Sequence, residues 1–376
     1  MPPAAYILLA VTLLYCAEMI LFRRGLDRID RYERNRSYEP TVSVIVAARN
    51  EESSIGECIA SLVELDYPSD KLEIIVVNDC STDDTAGVVT KWSRENARVV
   101  LVNAQPGTRT LRGKANALAQ GIERSRGDIL MFTDADCIAP KTWVRSTVSY
   151  YTDEVGVVAG FTFLRATKAF EAMQAIDWFM LFGAAATTAA WNIPLTAVGN
   201  NLSLRRSVYD AVGGYRSLPF SVTEDYTLVQ TIWQRTHLKI RYPVNRETLI
   251  ESRPCPTWKT LFRQKQRWGV GGMDMVVRGL LIMSVHTLMH LTIIMGAFTV
   301  PAWPLAAVVA AKVLADLHFL WKPIDVFKKH SIVRYFLHFE IYYSTYETLL
   351  PLIAVLSKKV VWKERAFGHS AVSRPQ

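Results

Sequence analysis

The fold of this chain is indicated most strongly by the stretch 127–136, which reads GDILMFTDAD. Its apolar run predicts a buried β-strand at 128–132, and Asp134 and Asp136 follow that strand one residue apart. Two neighbouring carboxylates repel each other unless a proton or a cation offsets their charge. A hard divalent ion is typically bound by one or two carboxylates together with substrate phosphates. The same triplet is also common in loops and helix caps, so its meaning depends on its surroundings.

The surroundings of this stretch alternate between apolar strands and helices. The other predicted strands are 42–46, 72–77 and 98–102, and the predicted helices are 55–65, 85–96 and 113–125. Strands that alternate with helices at this spacing favour an α/β fold with a parallel sheet and helices on both faces. In such sheets the ligand lies beyond the carboxyl ends of the strands.

Polar clusters occur where these strands end. Arg49 and Glu51 follow the first strand, although Arg49 could equally be a structural ion-pair partner. Asp79 follows the second strand and could accept a hydrogen bond from a base N–H. Lys114 stands at a predicted helix start, where the helix N-terminus and a cation together favour phosphate. These residues indicate a ligand site at one edge of the sheet.

Two further motifs follow in the second half of the chain. In TED, at 223–225, an acidic residue could take a proton from an acceptor hydroxyl, or Thr223 and Glu224 could simply cap the helix predicted at 226–233. The second motif is RQKQRW at 263–268. Its arginines suit bidentate contact with phosphate, and its tryptophan offers a flat face to a sugar or an apolar acceptor. A basic interfacial belt with a tryptophan anchor is the alternative.

The N-terminal end of the chain is apolar. The stretch 4–22 has the length of a membrane-spanning helix, for which roughly 20 residues are required. A basic linker at 23–37 follows it and contains several arginines. The positive-inside rule therefore places the following domain in the cytosol. A cleaved signal peptide is disfavoured, because the positive charge comes after the apolar run.

The C-terminal third is also apolar. The stretches 280–300 and 303–320 could each span a membrane, and 332–356 is a third candidate that carries charged residues. Three C-terminal spans would place the C-terminus outside, whereas a basic tail at 358–376 favours inside, so the topology of the last segment stays open. The stretch 172–190 is predicted to be a buried or membrane-apposed helix, because the motifs on both sides of it must share one compartment. The basic residues of the tail are Lys358, Lys359, Lys363 and Arg365.

These patterns predict an integral membrane protein with one central domain. The segments are a membrane helix at 1–22, the linker 23–37, the central domain 38–272, membrane segments at 273–357 and the tail 358–376. The net charge of +8 lies largely beside apolar segments, and no basic run alternates with aromatic residues as in a nucleic-acid groove. The five cysteines include no Cys-x-x-Cys pair, which argues against a disulfide framework or a zinc site.

Several motifs occur along the chain in a fixed order, namely ARNE, NDxSTD, GKxxAL, DAD, TED and QxxRW. This series resembles the family 2 inverting glycosyltransferases, which share the GT-A fold with cellulose and hyaluronan synthases and ceramide glucosyltransferase. The resemblance covers about 41–271. It implies a GT-A domain, which is a Rossmann-like nucleotide-sugar-binding domain, with transmembrane helices at both ends.

The resemblance also implies a role for each matching residue. It implies a nucleoside pocket of Ala47, Arg49, Glu51 and Asp79, nucleotide contacts from Lys114 and Asp134, a metal ligand in Asp136, catalytic carboxylates in Glu224 and Asp225, and a closing motif of Gln264, Arg267 and Trp268. Asp225 would act as the general base of a single displacement that inverts the anomeric centre. Asp136 would hold Mg²⁺ or Mn²⁺.

The implied donor is a nucleoside-diphosphate sugar, with a UDP-sugar favoured. The implied acceptor is a lipid or carotenoid-type molecule in a bacterial inner membrane, since polymerising synthases of the family carry more membrane segments than are predicted here. A processive polysaccharide synthase is the alternative within the same family. A catalytically silent membrane scaffold is the alternative outside the enzyme class, and the intact Asp136 and Asp225 argue against it.

Overall fold

The computed structural model describes residues 3–108, 110–272, 277–357, 359–362 and 365–368. The strands are β1 Val42–Ala48, β2 Leu72–Asn78, β3 Val99–Asn103, β4 Ile129–Asp134, β5 Val155–Ala159, β6 Thr162–Leu164, β7 Leu202–Arg205, β8 Lys239–Arg241, β9 Ile250–Ser252, β10 Lys359–Trp362 and β11 Arg365–Gly368. The α-helices are α1 Pro3–Ile29, α2 Ile55–Val63, α3 Thr85–Glu95, α4 Lys114–Arg124, α5 Trp143–Val148, α6 Ala169–Ala190, α7 Arg206–Ala211, α8 Gly214–Ser217, α9 Glu224–Thr236, α10 Trp258–Gly272, α11 Val277–Thr299, α12 Ala302–Val326 and α13 Phe336–Leu356. In the basic tail, β10 and β11 pair as an antiparallel hairpin, and Lys358 and Lys363 lie outside the described residues.

The central sheet has the strand order β3-β2-β1-β4-β7-β5-β8. Its first half is parallel, with β1 between β2 and β4 and with β3 beside β2. The second half is mixed, because β7 runs antiparallel to both β4 and β5. The predicted α/β fold with a parallel sheet is therefore confirmed for the first four strands. The mixed half is an addition that the strand pattern did not reveal.

The two faces of the sheet are covered by two separate apolar cores. Ile45 and Ile75 belong to one core, and Val44 and Ile74 belong to the other. Successive side chains of a strand point to opposite faces, so a strand buried on both sides is apolar at nearly every position. This burial fixes the register in which Ala47 lies beside both Val77 and Asp134 at the carboxyl edge.

Three helices of the described chain are long and apolar enough to cross a membrane, namely Pro3–Ile29, Gly279–Thr299 and Ala302–Val326. They coincide with the spans predicted at 4–22, 280–300 and 303–320. The first helix continues to Ile29, so the start of the predicted linker is helical. The third C-terminal candidate forms α13 after a 3₁₀ turn at His330–Tyr335 and is not one of the three.

The helix predicted at 172–190 is confirmed as an interior element. Most side chains of α6 are buried. Gly25 of α1 lies so close to it that an added Cβ would be 2.5 Å from Thr187 Cγ2. The Thr187 hydroxyl also donates a 2.7 Å hydrogen bond to the Phe22 carbonyl. The N-terminal helix and the central domain therefore share one packed interface.

A cluster of charged residues is buried among the C-terminal helices. The Lys312 Nζ atom lies 2.8 Å from Asp316 Oδ2 and 2.5 Å from Glu340 Oε2. The Tyr15 hydroxyl donates a hydrogen bond to Asp316. These contacts connect α1, α12 and α13, and they explain why the apolar segment 332–356 carries a buried glutamate.

Candidate active site

The loops after β1 and β2 are tied together by hydrogen bonds. The Arg49 guanidinium donates to the backbone carbonyls of Asp79 and Cys80, at 2.8 and 2.7 Å. The Asn50 side chain accepts a 2.8 Å hydrogen bond from the Thr82 N–H. Asn50 also has a positive φ of 53°, a conformation that asparagine tolerates better than most residues. These contacts of Arg49 are hydrogen bonds to backbone carbonyls, and they hold the two loops together at one sheet edge.

The sequence predicts Ala47 and Glu51 for the same pocket. Ala47 lies near the end of β1, and Glu51 lies in the loop that follows this strand. Ala47 pairs in register with Asp134 of β4. The Glu51 carboxylate accepts a 2.7 Å hydrogen bond from the Ser54 hydroxyl. Asp79, at the end of the neighbouring strand, is buried. The four predicted pocket residues therefore lie at the ends of the neighbouring strands β1 and β2, and Ala47 is in register with Asp134.

Lys114 joins two motifs that are far apart in the sequence. Its Nζ atom lies 2.5 Å from Asp134 Oδ1 and 3.9 Å from Glu224 Oε1. Burial alone would lower the pKa of Lys114, but Asp134, Glu224 and Asp225 outweigh it and hold the pKa above its ordinary value. Lys114 is also the first residue of α4, where the helix dipole favours an anion. A cation is thus fixed between the end of β4 and the TED motif.

Asp136 lies just beyond the end of β4 and is half-buried. Its Oδ2 atom accepts a 3.4 Å hydrogen bond from the hydroxyl of Ser252 on β9. Burial raises the pKa of the Cys58 and Cys137 thiols, and the charges of Asp136 and Asp134 raise it further. These thiols therefore stay protonated.

The carboxylates at this point fit a divalent ion that is shared with a substrate. Among the described residues, no group of three or more His, Cys, Asp or Glu side chains could hold a metal ion. An ion such as Mg²⁺ does not require such a cage, because waters and substrate phosphates complete its shell around one or two carboxylates. Asp136 could supply one ligand, while Asp134 is held by Lys114. The donor set therefore suits an ion that binds together with a diphosphate.

Asp225 is fixed by two backbone hydrogen bonds. Its Oδ2 atom accepts a 2.6 Å bond from the Gly199 N–H, and its Oδ1 atom accepts a 2.8 Å bond from the Tyr226 N–H. Thr223 stands at the N-cap of α9 but, within the described part of the chain, its side chain makes no capping hydrogen bond. The capping role considered for Thr223 is therefore absent from this helix start.

Glu224 precedes Asp225 in the chain, and only 11% of the Glu224 side chain is exposed. Burial raises the pKa of Glu224 to about 7, and the charge of Asp225 acts in the same direction. Lys114 and Arg267 act against this shift. A carboxyl group with a pKa near 7 changes its charge in the range where enzymes commonly work.

A cleft opens beside Glu224. It contains about 350 Å³ of empty space. An adjoining cleft of about 250 Å³ shares Glu224 with it. The residues that line the first cleft are Arg112, Gly113, Lys114, Ala115, Phe220, Ser221, Val222, Glu224 and Arg267. No sequence motif marked Arg112 or Phe220, whose guanidinium carbon and ring centroid lie 4.2 Å apart.

The side chains of the closing motif on α10 lie in different surroundings. Arg267 lines the cleft, and its Nη1 atom donates a 3.0 Å hydrogen bond to the Val222 carbonyl. The Trp268 ring instead packs against Trp178 of α6, with 5.8 Å between centroids. The Gln264 Oε1 atom is buried and has no hydrogen-bond partner among the described residues. The structure thus brings Arg267 to Glu224 and Lys114, and it uses Trp268 as a packing contact.

The arrangement of motifs and fold defines a class of protein. Residues 43–227 match the family described as Glycosyl transferase family 2. This range begins in β1 and ends in α9, so it includes the carboxyl edge of the parallel strands, Asp134, Asp136 and the TED motif. The chain belongs to this family of glycosyltransferases, as the sequence motifs indicated.

Relatives named as glycosyltransferases or as synthases of sugar-containing products give the same class. The chain is 31% identical over 287 residues to the protein named Probable glycosyltransferase YdaM of Bacillus subtilis, with 72% of this chain and 66% of that protein covered. It is 32% identical over 245 residues to a beta-monoglucosyldiacylglycerol synthase of Synechocystis sp., with 62% and 48% covered. It is 28% identical over 247 residues to a poly-beta-1,6-N-acetyl-D-glucosamine synthase of Staphylococcus aureus, with 63% and 56% covered. The chain spans about half to two thirds of the length of these relatives.

A solved structure confirms the predicted GT-A fold. The mannosyltransferase PcManGT of Pyrobaculum calidifontis, solved in complex with GDP-Man and Mn²⁺, superposes on this chain with a TM-score of 0.59. The match covers 94% of this chain and 98% of that one, at 19% sequence identity. At this identity the similarity concerns the fold, which here includes the helices outside the central domain.

Proposed function

We propose that this chain is an inverting glycosyltransferase that moves a sugar from a nucleoside-diphosphate donor to a hydroxyl of a lipid-like acceptor. A UDP-sugar is the favoured donor. The observation that carries the proposal is the contact of Lys114 with both Asp134 and Glu224, in a cleft that Arg267 also lines. This contact joins the proposed nucleotide-binding edge of the sheet to the proposed catalytic carboxylates. The membrane-length helices and the relative named as a beta-monoglucosyldiacylglycerol synthase support a lipid or carotenoid-type acceptor.

The proposed general base is Asp225. Its two backbone hydrogen bonds fix the carboxylate and still leave a lone pair on each oxygen for an acceptor hydroxyl. Asp225 takes the hydroxyl proton while the acceptor oxygen bonds to the anomeric carbon. The bond to the donor diphosphate breaks, and its electron pair leaves with the nucleoside diphosphate. The anomeric configuration inverts, and no covalent intermediate with the enzyme is formed.

Cations around the diphosphate complete the proposed site. Asp136 would hold Mg²⁺ or Mn²⁺ with the help of substrate phosphates. When bound, such an ion stabilises the negative charge of the departing diphosphate. Lys114 and Arg267 line the cleft and can bind phosphate oxygens. The Mn²⁺ in the structure of PcManGT supports a divalent ion here as well.

The proposed location is the cytosolic side of a bacterial inner membrane. The arginines that follow the apolar part of α1, beginning with Arg23 and Arg24, support this orientation. A cysteine-labelling experiment tests it, using the exposed Cys80 of the central domain. An impermeant maleimide should label Cys80 only after the inner membrane has been opened. Labelling in intact spheroplasts would reverse the orientation.

The substitution Asp225→Asn tests the base assignment. The variant should bind the donor with nearly the wild-type Kd, measured by isothermal titration calorimetry. Transfer of radiolabelled sugar into the lipid fraction should fall by about 10²–10⁴-fold, which is the usual contribution of a general base. The matched control is Asp210→Asn, which changes an exposed aspartate on α7. Undiminished transfer by Asp225→Asn would exclude Asp225 as the base.

The second candidate function is processive polysaccharide synthesis. The similarity to a poly-beta-1,6-N-acetyl-D-glucosamine synthase favours it. Mass spectrometry of lipids from cells with and without the protein separates the two functions. A lipid that gains one sugar supports the proposal. A series of products with increasing numbers of sugars would instead support processive polysaccharide synthesis.

A further inference from the structure

The outward side of α10 combines apolar and basic residues. Trp258 and Phe262 are one helical turn apart and expose 63% and 50% of their surface. Lys259 and Arg263, beside them, are also exposed, and neither forms an ion pair within the described part of the chain. Further along the same helix, Lys265 is buried and paired with a carboxylate. The buried cation of α10 is therefore neutralised within the protein, whereas its two exposed cations face outward.

Helix α13 extends this surface. The rings of Trp258 and Tyr342 lie 6.4 Å apart, and the Gln266 Nε2 atom donates a 2.9 Å hydrogen bond to Ser357 at the end of α13. Like α10, α13 exposes large apolar side chains. We call the exposed surface at the start of α10 the platform, and it consists of Trp258, Lys259, Phe262 and Arg263.

The platform is next to the membrane-length part of the chain. Helix α10 ends at Gly272, and α11 begins at Val277 and contains one of the three helices that are apolar enough to span. An amphipathic helix with tryptophan and phenylalanine on one side and lysine and arginine beside them typically lies in the bilayer interface. Its two outward cations complement negative charge, which in such an interface is carried by lipid phosphates and acidic headgroups.

We propose that the platform binds the headgroups of anionic phospholipids, with Lys259 and Arg263 at the lipid phosphates and Trp258 and Phe262 at the boundary of the acyl chains. The inference rests on the proposed membrane location of the enzyme. It also has a consequence for the reaction, because Arg267, which lines the cleft, lies one turn after Arg263 on the same helix. When α10 binds an anionic leaflet, the position of Arg267 at the cleft is stabilised. The rate of sugar transfer therefore depends on the charge of the membrane.

Lipid binding can be measured without relying on activity. The full-length protein is placed in nanodiscs containing brominated phosphatidylglycerol or brominated phosphatidylcholine, and tryptophan fluorescence is recorded. The contribution of Trp258 is the difference from Trp258→Phe. In the wild type this contribution should be quenched more strongly by the anionic lipid. Each basic residue near an anionic surface contributes roughly a fivefold preference, so Lys259→Gln/Arg263→Gln should remove most of the difference.

A matched control separates the platform from general charge effects. Lys91 and Arg94 are exposed on α3 of the central domain, and Lys91→Gln/Arg94→Gln removes the same two kinds of charge. This control should keep the wild-type preference. Equal quenching by both lipids in the wild type would overturn the proposal and would favour a protein partner or a second copy on this face. A preference that survives Lys259→Gln/Arg263→Gln would overturn it as well.

Transfer assays in the same nanodiscs test the consequence for the reaction. Wild-type enzyme should transfer sugar faster in the anionic bilayer than in the neutral one, and Lys259→Gln/Arg263→Gln should lose this advantage. The two proposals fail in different ways. If no sugar is transferred in any bilayer while the quenching preference depends on Lys259 and Arg263, the proposed function fails and the lipid-binding surface stands.

Discussion

Replacing Glu224 by glutamine should change how the stability of this protein depends on pH. Burial and the adjacent Asp225 raise the pKa of Glu224 from 4.5 to about 7. One pKa unit corresponds to about 1.4 kcal/mol, so ionising Glu224 in the folded protein costs about 3 kcal/mol. Because the folded state has the higher pKa, the contribution of Glu224 to stability is fully present below pH 4.5 and is lost as the pH rises through about 7.

The assay is thermal unfolding of the detergent-solubilised, full-length protein at pH 5 and pH 8. A free-energy difference of 3 kcal/mol corresponds to about 6–12 °C in the unfolding midpoint of a domain of this size. Between pH 5 and pH 8, the unfolding midpoint of the wild type should therefore fall by about 6–12 °C more than the midpoint of Glu224→Gln. Glu95→Gln, which changes an exposed glutamate on α3, should follow the wild type. Identical pH dependence of the wild type and Glu224→Gln would refute the burial argument.

Three further substitutions have defined outcomes. Lys312→Met should lower the free energy of unfolding by about 3–5 kcal/mol, because it leaves two buried carboxylates without their cation, and an unchanged melting temperature in detergent would contradict this. Gly25→Val should cost about 1–3 kcal/mol by overpacking against Thr187, and adding Thr187→Ala should recover part of the lost melting temperature. Asp136→Asn should reduce transfer by about a hundredfold or more at saturating donor if it holds the ion. Wild-type transfer by Asp136→Asn at every Mg²⁺ and Mn²⁺ concentration would exclude that role.

The parallel half of the sheet could be predicted because its strands are buried on both faces. Such strands appear in the sequence as unbroken apolar runs, and the polar residues that follow them mark the carboxyl edge. Strand β7 could not be predicted in this way, because it contains four residues and ends at Arg205. A strand this short has no detectable period, and only its pairing with β4 and β5 defines it.

The composition of the candidate site was partly visible in the sequence, but its contacts were not. The motifs identified Lys114, Asp134 and Glu224 separately. That Lys114 lies between the other two follows from the packing of α4 and α9 around the sheet edge, which no local pattern encodes. Trp268, which the motif assigned to the substrate, also packs against Trp178 of α6, a contact that the motif did not predict.

The charged residues of 332–356 show a similar limit. A glutamate in an apolar segment argues against a membrane span as long as its partner is unknown. The partner of Glu340 is Lys312, on the preceding helix. Sequence reasoning weighs each segment alone, whereas the free energy of a buried charge depends on the neighbouring helix.

The close contact between Gly25 and Thr187 has a consequence for how this enzyme can be handled and how it can evolve. Many membrane-attached enzymes are modular, and their anchors can be cut off or exchanged without harm. Here α1 covers a helix of the central domain, so removing 1–29 would expose the apolar surface of α6 to water. We expect such a truncated chain to precipitate or to require detergent, which size-exclusion chromatography would show. The N-terminal helix and the central domain should therefore be stable only together.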